Sequence, residues 1–484
     1  MKDQTKTPLF DAIVSYIEQQ NAYFRIPGHR GEVGINQKWL DYVGPNIFKM
    51  DLTETPLLDD LHNPSGAIRE AEELAQDVFG AESTYFLING TTCGNEAMLM
   101  TAASLGEKIL IPRNAHKSAL MGMIISGADP IYIMPELSEE WGVHGGLDVH
   151  KIAATFAEHP DIKGMMAVSP TYYGLCSNLK EIARICHEYQ AALLVDEAHG
   201  AHLYFSGDLP DGAMTSGADV CAQSIHKVTG SLTQSSMLHI NSRILDKEKL
   251  EANLHIVQST SPSYLLMASL DLARQDLAVH GPQMIANALE LSHTLREAVN
   301  RIPGFCCFGE EIVGHAGIYG LDSTRLTISG KEIGITGFAL KELLFSEHGV
   351  DVELCDYLNV LAIITYANCA SDTRRLIKAL QEIGLKHGQD KILRYETKLP
   401  TLPEKILSPR EAFFAKTRRI PWQEAQGKIA AEMIAPYPPG IPTIYPGEII
   451  SNDVWEYIEM FRQNNRHLQG PADHELKTFK IIDQ

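Results

Sequence analysis

From about residue 80 to about residue 240, short apolar runs alternate with segments of helical periodicity, and no other feature limits the fold of this chain so strongly. "STYFLI" leads into "NGTTCGNEAMLMTAA", and "EKILI" leads into "PRNAHKSALMGMIISG" before "PIYIM". "GMMAVSPTYYG" is followed by "NLKEIARICHEYQ", in which Leu179, Ile182, Ala183 and Cys186 recur at helical spacing. "AALLVDEAHG" and "DVCAQSIHKVTG" come next. The alternation predicts an α/β fold with a mostly parallel sheet and helices on both faces. In each case the polar residues follow the apolar run. They therefore sit at the carboxyl ends of parallel strands, the edge where open α/β sheets bind ligands.

The rest of the chain is patterned differently. Residues from about 245 to 300 read as helical, and "DSTRLTISG" with "VDVELCDYLNVLAIITYA" reads as strands of a smaller α/β domain. Past about 385 proline becomes frequent, and "APYPPGIPTIYPGEII" reads as a rigid loop. These shifts predict an N-terminal segment plus large domain over 1–290, a small α/β domain over 291–385 and a C-terminal α+β domain over 386–484. With 484 residues, 44% of them hydrophobic and 21% charged, there is material for two or three such domains.

Charge narrows the partners. The balance of 41 basic against 61 acidic residues, net −20, repels nucleic acid and membrane surfaces and mildly attracts small cations. No apolar run approaches the roughly 20 residues of a spanning helix. The polar, then amphipathic start "MKDQTKTPLFDAIVSYIEQQ" has no secretory core, so a cytosolic protein is expected. The eight cysteines show no C-x-x-C spacing and read as free thiols.

At the converging edge, Thr91 and Thr92 lie in a hydroxyl-rich loop before a helix, a place where hydroxyls and helix-start N–H groups hold a phosphate. An ordinary helix cap also accounts for that loop. His116, in the second such loop, reads alone as a capping or core histidine. Lys227 is sharper, because it follows an apolar strand, with Ser224 and His226 before it and a Gly/Ser/Thr run after it. A lysine partly stripped of water in a cleft becomes a nucleophile toward a carbonyl. Asp196, about thirty residues upstream at another strand end, suits the charge pair of a pyridine nitrogen. Together the two point to pyridoxal 5'-phosphate. Other readings of "DEAH" fail. No G-x-x-x-x-G-K-[ST] loop precedes it, as a helicase requires, and His199 and His202 lack a third ligand cluster at metal spacing, so no metal is expected.

The Asp-x-Ala-His and Ser-x-His-Lys words resemble fold-type-I pyridoxal-phosphate enzymes, the aspartate aminotransferase-like class. "FRIPGHRG", "LDDLHNPSG", "SPTYYG", "SLTQSS", "QSTSPSYLLMASLD" and "PYPPGIPTIYPGE" resemble one branch, the bacterial ornithine/lysine/arginine decarboxylases, in the short form without an N-terminal receiver-like domain. The resemblance implies that Lys227 carries the cofactor and that Asp196 pairs with its ring nitrogen. Ala198 and His116 would pack on the two ring faces, Thr91, Thr92 and Ser224 would hold the phosphate, and His226 would sit beside the lysine. Ser259 and Ser261 would reach the phosphate from a partner chain. It also implies a homodimer and argues against decamers.

The activity implied is decarboxylation of a small cationic amino acid, arginine first, lysine or ornithine second, with polyamine synthesis as the destination. A non-catalytic relative is disfavoured because the lysine, the aspartate and the phosphate loop are intact. Carboxylates must read the substrate's distal cation. The candidates are Glu448, Asp351 and Glu353, with Asp51 or Glu54 behind them. His199 is an active-site neighbour with no role assigned, and Glu197 and His202 read as structural. One departure from relatives stands in the phosphate loop, Cys93 and Gly94 where other small residues are usual.

Overall fold

The computed structural model describes residues 2–55, 57–394, 400–436, 441–463 and 468–483, so residues 437–440 of the proline-rich loop lie outside the described residues. The chain divides into two compact units, residues 1–101 with 194–285, and residues 102–193 with 286–484.

The apolar runs become the strands β1 (Ser83–Leu87), β2 (Lys108–Pro112), β3 (Asp129–Ile133), β4 (Gly164–Val168), β5 (Ala192–Asp196) and β6 (Val220–Gln223). A further strand, β7 (Ser236–Ile240), follows the Gly/Ser/Thr run. In the first unit the hydrogen-bonded order is β1-β7-β6-β5. There β5 and β6 are parallel, with Leu194 opposite Val220 and Asp196 opposite Ala222. β7 runs antiparallel to both β1 and β6, so the sheet is mixed rather than uniformly parallel. Its first residue, Ser236, is thereby brought to the edge where β1 and β6 end, opposite Leu87.

The first unit's core forms around α1 (Pro8–Glu18) and α2 (Ala67–Phe79), with Leu9, Ile13, Ile68, Ala71, Phe79 and Phe86 among its fully buried members. The helix that follows β1 is α3 (Gly90–Ala102), packed close to the sheet. A Cβ on Gly94 would stand 2.8 Å from Leu87 Cδ1 and 2.9 Å from the Ala222 side chain, which accounts for glycine there.

In the second unit β4-β2-β3 are parallel. They are followed by helices that include α4 (Lys117–Ser126) and α5 (Leu179–Glu188). Asn178 caps α5 by accepting from Glu181 N at 3.1 Å, and Leu179, Ile182, Ala183 and Cys186 are buried at the helical spacing read from the sequence. The helical stretch before residue 300 includes one long helix, Tyr264–Asn300, and Pro282 lies inside it. A smaller antiparallel sheet is built from β8 (Cys306–Cys307), β9 (Arg325–Ser329), β10 (Leu354–Cys355) and β11 (Asn359–Ile363), in the order β8-β9-β11-β10. Its core holds Leu326, Ile328, Leu340, Leu344, Val360 and Leu380. Residues 420–481 enclose another core around Trp422, Val454, Ile458 and Phe479.

Candidate active site

The strand ends of the first unit bring three hydroxyls together. Thr91, in the first turn of α3, has its Oγ1 2.6 Å from Ser224 Oγ and 3.0 Å from Ser236 Oγ. The backbone N–H groups of a helix start favour an anion at such a place. All three side chains are buried, while Thr92 is half-buried. Cys93 hydrogen-bonds to Gly90 O at 3.1 Å, and burial pushes its thiol up to about 12, so it is no nucleophile.

Asp196 ends β5 and is 5% exposed. Its Oδ2 accepts from Asn95 Nδ2 at 2.7 Å and its Oδ1 from Ala198 N at 3.2 Å, which fixes how the carboxylate faces. Asn95 lies four residues after Thr91, one turn along the same face of α3. Ala198 is buried in the turn that follows Asp196. Beyond β6 the chain forms a short helical turn (Ile225–Val228) that carries His226 and Lys227. Lys227 Nζ lies 3.1 Å from His199 Nε2. His226 Nδ1 donates to Ser235 O at 2.9 Å. Burial, with the Lys227 charge in the same direction, holds the His226 pKa below the usual histidine value against that hydrogen bond.

This donor set suits pyridoxal phosphate group by group. Three hydroxyls at a helix start match a phosphate, a buried and oriented carboxylate matches a pyridine nitrogen, and a half-buried amine beside a histidine matches an aldehyde. Sequence reasoning missed Ser236 and Asn95 and left His199 without a role. The i, i+4 spacing of Thr91 and Asn95 was the available signal for Asn95.

Other candidates lie elsewhere. His116, in the second unit, is exposed and caps α4, its Nδ1 accepting from Ser118 N at 3.3 Å. Asp51 accepts from His29 Nε2 at 3.0 Å, and Glu54 accepts from the Thr53 hydroxyl. Ser259 and Ser261 are exposed, and Ser259 O accepts from His62 Nε2 at 3.0 Å. Asp351 and Glu353 are exposed on a cleft of about 230 Å³ shared with Leu295, Val352, Ile364 and Asp372.

Glu448 needs correcting. It is wholly buried, and Arg113 binds it with both arms, Nη1 to Oε1 at 2.6 Å and Nη2 to Oε2 at 2.7 Å. Tyr445 N donates to the same Oε2, and the guanidinium lies 4.7 Å from the Tyr132 ring centre and 4.4 Å from that of Tyr445. A carboxylate paired this way has no charge left for a substrate cation. Among the described residues, no three His, Cys, Asp or Glu side chains group so as to hold a metal ion, and no helix is long and apolar enough to cross a membrane.

Residues 7–372 match the family description "Orn/Lys/Arg decarboxylase, major domain", and residues 393–477 match "Orn/Lys/Arg decarboxylase, C-terminal domain". The chain belongs to the Orn/Lys/Arg decarboxylase family. An arginine decarboxylase of Bacillus anthracis is 39% identical over 99% of this chain and 98% of its own length. Among solved structures, the lysine decarboxylase of Francisella novicida superposes with a TM-score of 0.85 at 23% identity, covering 99% of this chain and 81% of that one. An alanine–glyoxylate aminotransferase from Nostoc superposes with a TM-score of 0.53 at 17% identity, over 70% of this chain and 92% of that one. These likenesses place the decarboxylase chain in the fold-type-I class that its motifs resemble.

Proposed function

We propose that this family member uses pyridoxal 5'-phosphate to remove the carboxyl group of a basic L-amino acid, arginine giving agmatine and carbon dioxide, with lysine or ornithine as the second reading. The observation that carries it is the meeting of Lys227 with His199 beside a carboxylate, Asp196, and a hydroxyl cluster. The full-length relative named arginine decarboxylase favours arginine, and the lysine decarboxylase likeness keeps lysine in view.

When bound, the cofactor supplies an electron sink for the pair left at Cα as carbon dioxide departs. Thr91, Ser224 and Ser236, with Thr92 beside them, would bind its phosphate. Asp196, oriented by Asn95 and the Ala198 N–H, holds a proton on its ring nitrogen. The small Ala198 would lie against the cofactor's ring, and by the family resemblance His116 would pack on it as well. Lys227 Nζ would be the amine that holds the cofactor's aldehyde carbon, and His199 Nε2, 3.1 Å away, is placed to accept a proton from Nζ. The same pair would be the proton source for Cα. His226 is held in place by Ser235 O and keeps the lysine turn from rotating.

Asp351 and Glu353, exposed on their cleft, are the remaining carboxylates proposed to read the distal cation. The reading includes a cytosolic homodimer in which Ser259 and Ser261 approach the partner's phosphate, and an organisation into 1–290, 291–385 and 386–484. The separate cores of the small sheet and of residues 420–481 support that division, and the two matched family segments support only its last boundary.

Carbon dioxide release from arginine, lysine and ornithine should be measured side by side on protein loaded with pyridoxal phosphate. Arginine is expected to turn over fastest. Loading should give a coloured protein whose band borohydride removes, and Lys227→Ala should lose both the band's borohydride sensitivity and turnover. A chain that takes up no cofactor, or one that takes it up and acts on none of the three, sinks the proposal.

A further inference from the structure

Glu197 stands between Asp196 and Ala198 and has no part in the chemistry above. It is fully buried, and its carboxylate is crowded with donors. Oε1 accepts from Ala213 N at 2.6 Å. Oε2 accepts from the Tyr204 hydroxyl at 2.9 Å, from Gln223 Nε2 at 2.8 Å and from the Cys221 thiol at 3.5 Å. The row continues past Gln223, whose Oε1 lies 3.1 Å from His239 Nε2, while His239 Nδ1 lies 2.8 Å from Thr84 Oγ1. Gln223 and His239 are fully buried, and Thr84 is 2% exposed.

The direction of every bond in this row can be assigned. An ionised carboxylate only accepts, so Gln223 turns its NH2 toward Glu197 and leaves Oε1 to accept. His239 must then carry its proton on Nε2, and its Nδ1 accepts from the Thr84 hydroxyl. Burial takes the His239 pKa down to about 3, so the ring stays neutral and a single tautomer satisfies both neighbours. Thr84 donates to His239, His239 to Gln223 and Gln223 to Glu197. Each bond polarises the next in one sense, and the row ends on the carboxylate.

The row also crosses the four strands that deliver the site. Thr84 is on β1, His239 on β7, Gln223 on β6, and Glu197 follows β5. β7 begins at Ser236 and β5 ends at Asp196, while Thr91 follows β1 and Ser224 and Lys227 follow β6. Backbone pairing of β5 with β6 runs as far as Asp196 opposite Ala222, with Glu197 N bonded to Ala222 O at 3.0 Å. Just past that point the Gln223–Glu197 hydrogen bond adds a side-chain tie between the two strand ends.

We propose that Glu197 is a positioning residue: as the acceptor terminus of the Thr84–His239–Gln223 row, it holds the ends of β5 and β6 so that Asp196 and Lys227 face one cofactor. The proposal rests on the reading of the site given above. Sequence alone makes Glu197 look like a structural acid beside the reactive one.

The test compares the full chain with Glu197→Gln, Gln223→Leu and the double variant, above the pH of about 7 to which burial raises Glu197. One readout is the dissociation constant of pyridoxal phosphate and the absorption band of the bound form. The other is acetylation of Lys227 by acetic anhydride in cofactor-free protein, measured against the other lysines by mass spectrometry. Each single variant is expected to weaken cofactor binding about tenfold, the equivalent of one charge-assisted hydrogen bond, and to change Lys227 labelling by about threefold or more. The double variant should be no worse than the worse single, because both break one row. A lowered thermal midpoint with cofactor affinity, band and Lys227 labelling all unchanged overturns the proposal, as do additive losses in the double variant. Should Glu197→Gln fail to fold, Gln223→Leu decides by the same readouts. A parent chain that takes up no cofactor overturns the proposed function instead, and Lys227 labelling then decides the positioning by itself.

Discussion

Glu197 and Glu448 are both fully buried carboxylates, one in each unit, and the fold holds them by opposite means. Glu197 is surrounded by neutral donors, a backbone N–H, a phenol, an amide and a thiol. Glu448 is gripped by a guanidinium that is itself buried against two stacked tyrosine rings. Neutral donors orient a charge without cancelling it, whereas a bidentate cation cancels it and locks two segments together. The first arrangement suits the edge of a reactive site. The second suits a fastening, here between the end of β2 and residues 442–448.

The largest expected effect breaks the fastening. Arg113→Met strands Glu448 as an uncompensated buried charge and should cost about 3–5 kcal/mol in urea unfolding. Glu197→Ala removes an acceptor that several buried donors share, and a loss of about 2–3 kcal/mol is expected from the same measurement, smaller because no charge is left behind. If Glu197→Ala costs as much as Arg113→Met, the contrast between the two carboxylates fails. Arg410→Ala, which removes the cap on the carbonyls of Ile124 and Ile125 at the end of α4, should cost about 1 kcal/mol.

The last effect is one of pH dependence and concerns Glu72, another buried carboxylate, which accepts from Phe86 N. Burial raises its pKa from 4.5 to about 8. The folded chain therefore keeps a proton that the unfolded chain loses near 4.5, so the stability this group adds is complete below that pH and is lost as pH rises through about 8. Glu197, raised to about 7 mainly by burial, adds to the same trend. Glu72→Gln should flatten the fall of the urea midpoint between about pH 5 and 8. An unchanged slope would mean that the carboxyl is ionised in the fold.

What the sequence disclosed follows from what is local in it. Apolar runs and helical spacing are short-range patterns, and β1 to β6 with α3, α4 and α5 appear where they were read. β7 was hidden because "SLTQSSMLHI" opens with hydroxyls and because an antiparallel strand brings its first residue, not its last, to the site edge. Ser236 was missed for that reason. The two helical patterns around "HGPQ" read as separate because proline interrupts them, yet the helix Tyr264–Asn300 continues through Pro282. Glu448 was noticed as a carboxylate, but its partner is 335 residues away, and nothing in either neighbourhood announces the pairing. Asp196 and Lys227 were legible because one ends its strand and the other stands in the turn just beyond its own. The contact of Lys227 with His199 depended on two strands lying side by side.

Residues near 405 and 410 have one more consequence, for the chain as it is made. β3 is last in the order β4-β2-β3, and Lys405 Nζ bonds to Pro130 O at 2.8 Å and pairs with Asp129 on that strand. A nascent chain still short of residue 405 has the whole of β3 but none of these partners. Its outer strand then lacks the cation that covers the Pro130 carbonyl and the Asp129 carboxylate, so a chain stopped before residue 405 is expected to pair more readily with a neighbouring copy along β3 than the full chain does.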